Sequence, residues 1–144
     1  MATGDRNDPY SAFNFLVEID GVTVAGFSEC SGISMETDAI EYRNGSEDIT
    51  VRKLPGLAKY SNITLKRGFT KSKDLWTWRK TVLDGKTKRC SGTVTLLDEA
   101  RKPAIRWNFR EGWPRKLDGP TLNAKTNEVA IETLEIAHEG VVVE

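Results

Sequence analysis

The sequence predicts a mainly β protein, an antiparallel β-barrel or sandwich flanked by one α-helix. Apolar and polar residues alternate over many short stretches. Tight-turn pairs recur between them: Asp20-Gly21, Asn44-Gly45, Pro55-Gly56 and Asp118-Gly119. A single segment carries the 3.6-residue period of a helix. At 144 residues the chain has the size of one domain, 1–144, large enough for a core of its own.

Residues 1–10 are polar and contain Asp8-Pro9, so they read as an N-terminal arm ending in a turn. Phe13, Phe15, Val17 and Ile19 then alternate with polar neighbours, predicting a strand with these four facing the core. Asp20-Gly21 is a hairpin signal, because glycine tolerates the positive φ of a type I′ turn. Residues 22–27 form the return strand. Residues 33–54 read as a protruding hairpin: β-capable arms around Ala39–Arg43 and Ile49–Arg52, a polar tip, and few residues suited to a core. Lys53-Leu54-Pro55-Gly56 is expected to break its second arm. Alternation resumes at 60–67.

The helix is expected over 72–84. Ser72 can cap it, Asp74 suits the positive end of its dipole, and Gly85 suits the C′ position. Leu75, Trp78, Val82 and Leu83 share one face. Trp76 points elsewhere and can reach a second contact. Strands follow at 93–97 and 104–109, and Trp113-Pro114 is expected to close that hairpin. Residues 129–137 suit helix or strand. β-branched residues favour strand, with a bulge near Glu132 or Thr133 needed to bring Val129, Ile131, Leu134 and Ile136 to one face.

The formal net charge is zero, which at first argues against polyanion binding. The charges are nevertheless segregated. Residues 1–51 hold two basic and ten acidic residues, 52–116 eighteen and five, and 117–144 one and six. Three readings stay open: cancellation within the fold, separated faces suited to self-association, or a basic nucleic-acid surface. No apolar run approaches the ~18 residues of a spanning helix. The first residues lack the basic-then-apolar order of a signal peptide.

Catalytic signals are weak. His138 is the single histidine, and its place at a strand end suits a structural role. Cys30 and Cys90 fit no CxxC motif and read as small packing residues, although Arg89 beside Cys90 could lower its pKa. Gly85-Lys86-Thr87 resembles the end of a phosphate loop but lacks its upstream glycine, and it ends a helix instead of opening one. Asp98 and Glu99 are adjacent carboxylates in a turn. No catalytic, metal or cofactor site is expected.

Several segments resemble a known family. They are Asp8-Pro9-Tyr10 with Phe13-x-Phe15-x-Val17-Glu18-Ile19, Gly26-Phe27-Ser28-Glu29-Cys30-Ser31-Gly32-Ile33, Glu41-Tyr42-Arg43-Asn44-Gly45 and Arg52-Lys53-Leu54-Pro55-Gly56. Further along come Lys59-Tyr60-x-Asn62-Ile63-Thr64-Leu65-Lys66-Arg67-Gly68, Leu75-Trp76-x-Trp78, Trp113-Pro114-x-Lys116 and Ala130-Ile131-Glu132-x-Leu134-Glu135-x-Ala137-His138-Glu139-Gly140. Together, in order, they resemble the inner tail-tube protein of contractile phages and of phage-like extracellular contractile injection systems, related to the tube protein of type VI secretion. Cys30 stands where the family commonly has an aliphatic residue, and Cys90 where it has a basic or small one.

The resemblance implies homo-hexameric rings stacked into a hollow tube inside a contractile sheath. It implies baseplate and tube-terminating partners, luminal cargo, and no membrane insertion by the monomer. It implies assembly in the bacterial cytoplasm, as part of a virion tail or an injection particle. Ring-stacking contacts are expected from Asp8, Pro9 and Tyr10 of the arm and from Glu41, Tyr42, Arg43, Arg52, Lys53 and Leu54 of the hairpin. Tyr42 and Leu54 could instead be ordinary edge-strand core. Trp76 is expected to face a neighbouring subunit or the sheath. The alternative is a nucleic-acid-binding β-barrel using Trp76, Trp107 and Trp113 as stacking platforms. An enzyme ranks third.

Overall fold

The computed structural model describes residues 9–20, 22–43, 45, 49–69, 71–125 and 127–144. Its spine is one long strand, β8 (Pro103–Asp118). The first half of β8 joins a sheet with β7 (Cys90–Leu97), β1 (Phe15–Ile19), β2 (Val22–Ala25) and, on its other edge, β10 (Gly140–Val143). Its second half pairs with β9 (Ile131–Ala137), followed by β6 (Ile63–Gly68) and β3 (Glu29–Ser31). All of these pairings are antiparallel. The inner faces of the two halves share one core, including Val17, Ile63, Leu65, Val94, Phe109, Leu134 and Ile136. The path of strands stays open between β2 and β3, so the protomer is a sandwich bent from a single sheet.

Trp113-Pro114 does not end the strand, contrary to expectation. β8 bends where Glu111 adopts φ 53° and one extra residue intervenes opposite β7 between Gly92 and Cys90. A bulge of this kind turns a strand without ending its ladder. Residues 113–118 pair with β9 alone among the described strands. Pro114 therefore sits on a free edge, where a missing N–H is tolerated. Just before the bend, the Phe109 ring lies flat against two glycines. A Cβ on Gly92 would come within 2.3 Å of that ring, and one on Gly112 within 2.7 Å.

Helix α1 (Asp74–Leu83) packs against β8 and buries Leu75 and Trp78. The Trp78 indole N–H donates to the Lys88 carbonyl at 2.8 Å, which satisfies the polar end of a buried ring. Ser72 does not cap the helix: its hydroxyl donates to the Asp74 carboxylate at 2.8 Å, and Lys73 occupies the N-cap without a side-chain bond. Leu83 is 71% exposed, not inward. Gly85 has φ 74°, as a left-handed C′ residue requires.

Three further expectations are corrected. Phe13 precedes β1 and is 77% exposed. Pro55-Gly56 does not break the hairpin: β5 runs from Arg52 to Tyr60, and a register shift against β4 (Met35–Tyr42) absorbs one extra residue there. β9 contains no bulge against β6, where the register runs without interruption from Ile63↔Ile136 to Gly68↔Ile131. Its inward residues are Glu132, Leu134 and Ile136, leaving Val129 and Ile131 exposed. Glu132 is accepted in the core because Arg67, directly opposite on β6, is buried with it and forms an ion pair.

Candidate assembly surface

β4 and β5 pair with each other and with no other described strand. Their register places Ile40 opposite Leu54, Glu41 opposite Lys53 and Tyr42 opposite Arg52. Side chains alternate along a strand, so Ile40, Tyr42 and Leu54 share one face, and Glu41 and Lys53 the other. The apolar three are 52%, 50% and 45% exposed. They are not edge-strand core; they form the uncovered apolar face of an amphipathic ribbon. A lone two-stranded hairpin is marginal in water, and a contiguous apolar face marks a contact surface. At the base of the ribbon Lys59 pairs with Asp38 at 3.2 Å.

The other predicted residues lie elsewhere. Arg43 follows the end of β4. Asp8 falls outside the described residues. Pro9 and Tyr10 are exposed and line a hollow with the Leu97–Ala100 turn. Trp76 projects from α1 and is 43% exposed, flanked by Phe69, Lys71 and Lys73. Trp107 packs against the core and Trp113 is half-buried, so neither presents an open face to a base.

Some of the segregated charges meet within the subunit. Five ion pairs among the described residues each join a basic residue of the middle segment to an acidic residue of a flanking segment. They are Lys59–Asp38, Lys66–Glu29, Arg67–Glu132, Arg115–Glu135 and Lys116–Asp118. Cancellation within the fold thus accounts for these charges. Sequence order could not show it, since strand pairing decides who meets whom.

His138 is a structural residue. Its Nε2–H donates to the Ser61 carbonyl at 2.9 Å, and its ring packs 5.9 Å from Tyr60 and 6.0 Å from Phe109. Burial pushes the Cys30 thiol up from 9.0 to about 11. Burial also raises Cys90, with Asp20 adding to the rise and Lys88, not Arg89, opposing it. Both thiols are the reverse of activated nucleophiles. No cluster of metal-ligating side chains occurs among the described residues.

The sequence profile of the family described as T4-like virus tail tube protein gp19 matches residues 11–142. The chain is similar to one in the sheath-tube complex of an extracellular contractile injection system, PVC, in the extended state. There the TM-score is 0.87 at 25% identity, covering 96% of this chain and 93% of that one. It is similar to a chain in the tube-terminating cap of the anti-feeding prophage, with a TM-score of 0.86 at 25% identity over 100% and 99% of the two chains. Hcp1 from Flavobacterium johnsoniae shares the fold at a TM-score of 0.59 and 14% identity, over 91% and 94%. No curated protein sequence matches the chain.

Proposed function

The chain belongs to the T4-like virus tail tube protein gp19 family, and from that premise we propose how it performs a structural tube role. Copies form six-membered rings, the rings stack into a hollow tube, and a surrounding sheath drives that tube through a target envelope with cargo in its lumen. The protein works mechanically, without a catalytic step. Its partners are further copies of itself, a sheath protein, a baseplate and a tube terminator, in a phage tail or a phage-like injection particle.

One observation carries the stacking part: the β4–β5 ribbon, with Ile40, Tyr42 and Leu54 uncovered on one face. Head-to-tail stacking is a heterologous contact that propagates without closing, and the ribbon gives such a contact an apolar face with charged Arg52 beside Tyr42 on it and Glu41 and Lys53 on the reverse. Asp8, Pro9 and Tyr10 of the arm and Arg43 beside the ribbon extend the same contact. Within a ring, the free edges of β3 and of β8 residues 113–118 suit pairing between copies, which removes edges that would otherwise aggregate. Trp76, with Lys71 and Lys73 beside it, is the outward contact on α1.

Electron microscopy of negatively stained protein tests this. Wild-type protein should give rings or tubes with a central hole. Deletion of residues 36–52 should leave subunits or single rings without tubes. Tubes of normal length from the deletion variant would remove the stacking assignment.

A further inference from the structure

We infer that His138 is a positioning residue for the β4–β5 ribbon: acting through the Ser61 carbonyl, it fixes the angle at which the ribbon leaves the body of the subunit, and so the direction in which the apolar face points. The inference rests on the reading of the ribbon as the stacking contact and adds to it what holds the ribbon in place.

The ribbon needs such a device. β4 and β5 pair with each other and with no other described strand, so no sheet fixes their direction. Two chain connections carry them, residues 32–34 on the way in and 61–62 on the way out. These connections are pinned to each other. The Ser61 N–H donates to the Ser34 carbonyl at 3.2 Å, and its hydroxyl donates to that of Ser34 at 3.3 Å. Gly32 has φ 87°, and a Cβ there would collide with the Asn62 carbonyl oxygen, so the two connections cross in contact.

A joint pinned only to itself would still swing as a unit. Two bonds from β9 and its end oppose that swing. Asn62 donates to the Glu135 carboxylate at 2.7 Å. The His138 Nε2–H donates to the Ser61 carbonyl at 2.9 Å. A carbonyl can only accept, so Nε2 is the nitrogen that carries the proton. Nδ1 is buried with no partner among the described residues, which leaves the bond to Ser61 as the ring's one directed contact.

His138 is itself held by the body. Its ring centre lies 6.0 Å from that of Phe109, a core residue at the bend of β8, and 5.9 Å from that of Tyr60. Tyr60 is the residue of the two ribbon strands that packs against the core. The next residue is tied to β8 twice: the Glu139 N–H donates to the Arg110 carbonyl at 3.0 Å, and Arg110 Nη2–H donates to the Glu139 carbonyl at 3.1 Å. The histidine thus carries the position of β8 to the root of the ribbon. A ribbon held at one angle loses little freedom on docking, whereas a swinging one must be ordered as it docks.

Two variants separate the bond from the packing. His138→Phe keeps a ring between Tyr60 and Phe109 but lacks the donor. His138→Gln lacks the ring but can place an amide N–H near the position of Nε2. Spin labels at Lys53→Cys on the ribbon and Thr77→Cys on α1, both exposed positions, report the direction of the ribbon in dilute free subunits, with Cys30→Ala and Cys90→Ala as background. The distance distribution from pulsed electron spin resonance should be broader with His138→Phe than with His138, and narrow again with His138→Gln. In the unlabelled protein, His138→Phe should raise the concentration needed for tubes several-fold, and His138→Gln should bring it back toward wild type. Equal widths with His138 and His138→Phe, a His138→Gln width no narrower than that of His138→Phe, or His138→Phe tubes at the wild-type concentration would each overturn the inference. If His138→Phe does not fold, His138→Leu takes its place with the same expectations. Failure of wild-type protein to form tubes would remove the tube reading instead, and the subunit distances would still decide whether His138 fixes the ribbon.

Discussion

Arg67 and Glu132, 65 positions apart, meet side by side in the core. The guanidinium Nε–H donates to a carboxylate oxygen of Glu132, and the two side chains are 5% and 1% exposed. The Arg67 guanidinium also lies 5.8 Å from the centre of the Phe27 ring. A buried ion pair contributes little net stability over an apolar pair, but breaking one side leaves a charge in a medium that cannot solvate it. Glu132→Ala is therefore expected to destabilise by about 3–5 kcal/mol. Replacing both residues by Leu should recover most of that loss. Urea unfolding of the three proteins checks this. A single substitution costing no more than the double one would show that the pair is not coupled.

Phe109 sits against the backbone of Gly92, with its ring where a Cβ would be. Gly92→Ala should displace the ring and cost about 1–3 kcal/mol by overpacking. Gly92→Ala combined with Phe109→Leu should cost less than the two separate losses added, since each substitution relieves the other. Thermal unfolding of the cycle measures the coupling.

The apolar face of the ribbon makes the opposite prediction. Leu54→Asp touches a side chain uncovered in the protomer, so subunit stability should stay within about 0.5 kcal/mol. Tube assembly should be lost. Circular dichroism and sedimentation of the same preparation separate the two effects. A subunit that unfolds instead would return Leu54 to the core.

Cys30 gives a pH signature. Its thiol titrates near 9.0 when unfolded and is raised to about 11 in the fold. Below pH 9 both states hold the proton and Cys30 adds no pH dependence. Between 9 and about 11 the unfolded thiol ionises while the folded one does not, so stability falls as pH rises. Cys30→Ala should flatten part of that fall. Parallel melting curves from pH 8 to 11 read the difference, and identical slopes would rule out the burial effect.

Much of the fold was legible because local chemistry suffices for it. Alternation marked β1, β6 and β7, and a 3.6-residue period with Gly85 marked α1. The errors cluster where a partner strand overrides local signals. Pro55-Gly56 and Trp113-Pro114 read as breaks, yet each lies inside a strand that absorbs an extra residue in a register shift. The sequence around β9 asks for a bulge near Glu132 or Thr133, because nothing within it announces that Arg67 will stand opposite Glu132. The ribbon was legible as a hairpin. That Ile40, Tyr42 and Leu54 share one uncovered face depends on a register that the turn residues alone do not set.

The class of fold, helix α1 and the family resemblance follow from the sequence alone. These depend on composition and on patterns a few residues long. Tertiary structure decided which charges meet. The acidic ends and basic middle of the chain are brought within 4 Å of one another at Lys66–Glu29, Arg67–Glu132 and Arg115–Glu135. Those contacts span strands distant in sequence, and Coulomb energy depends on separation in space and on burial, neither of which a linear count of charge contains.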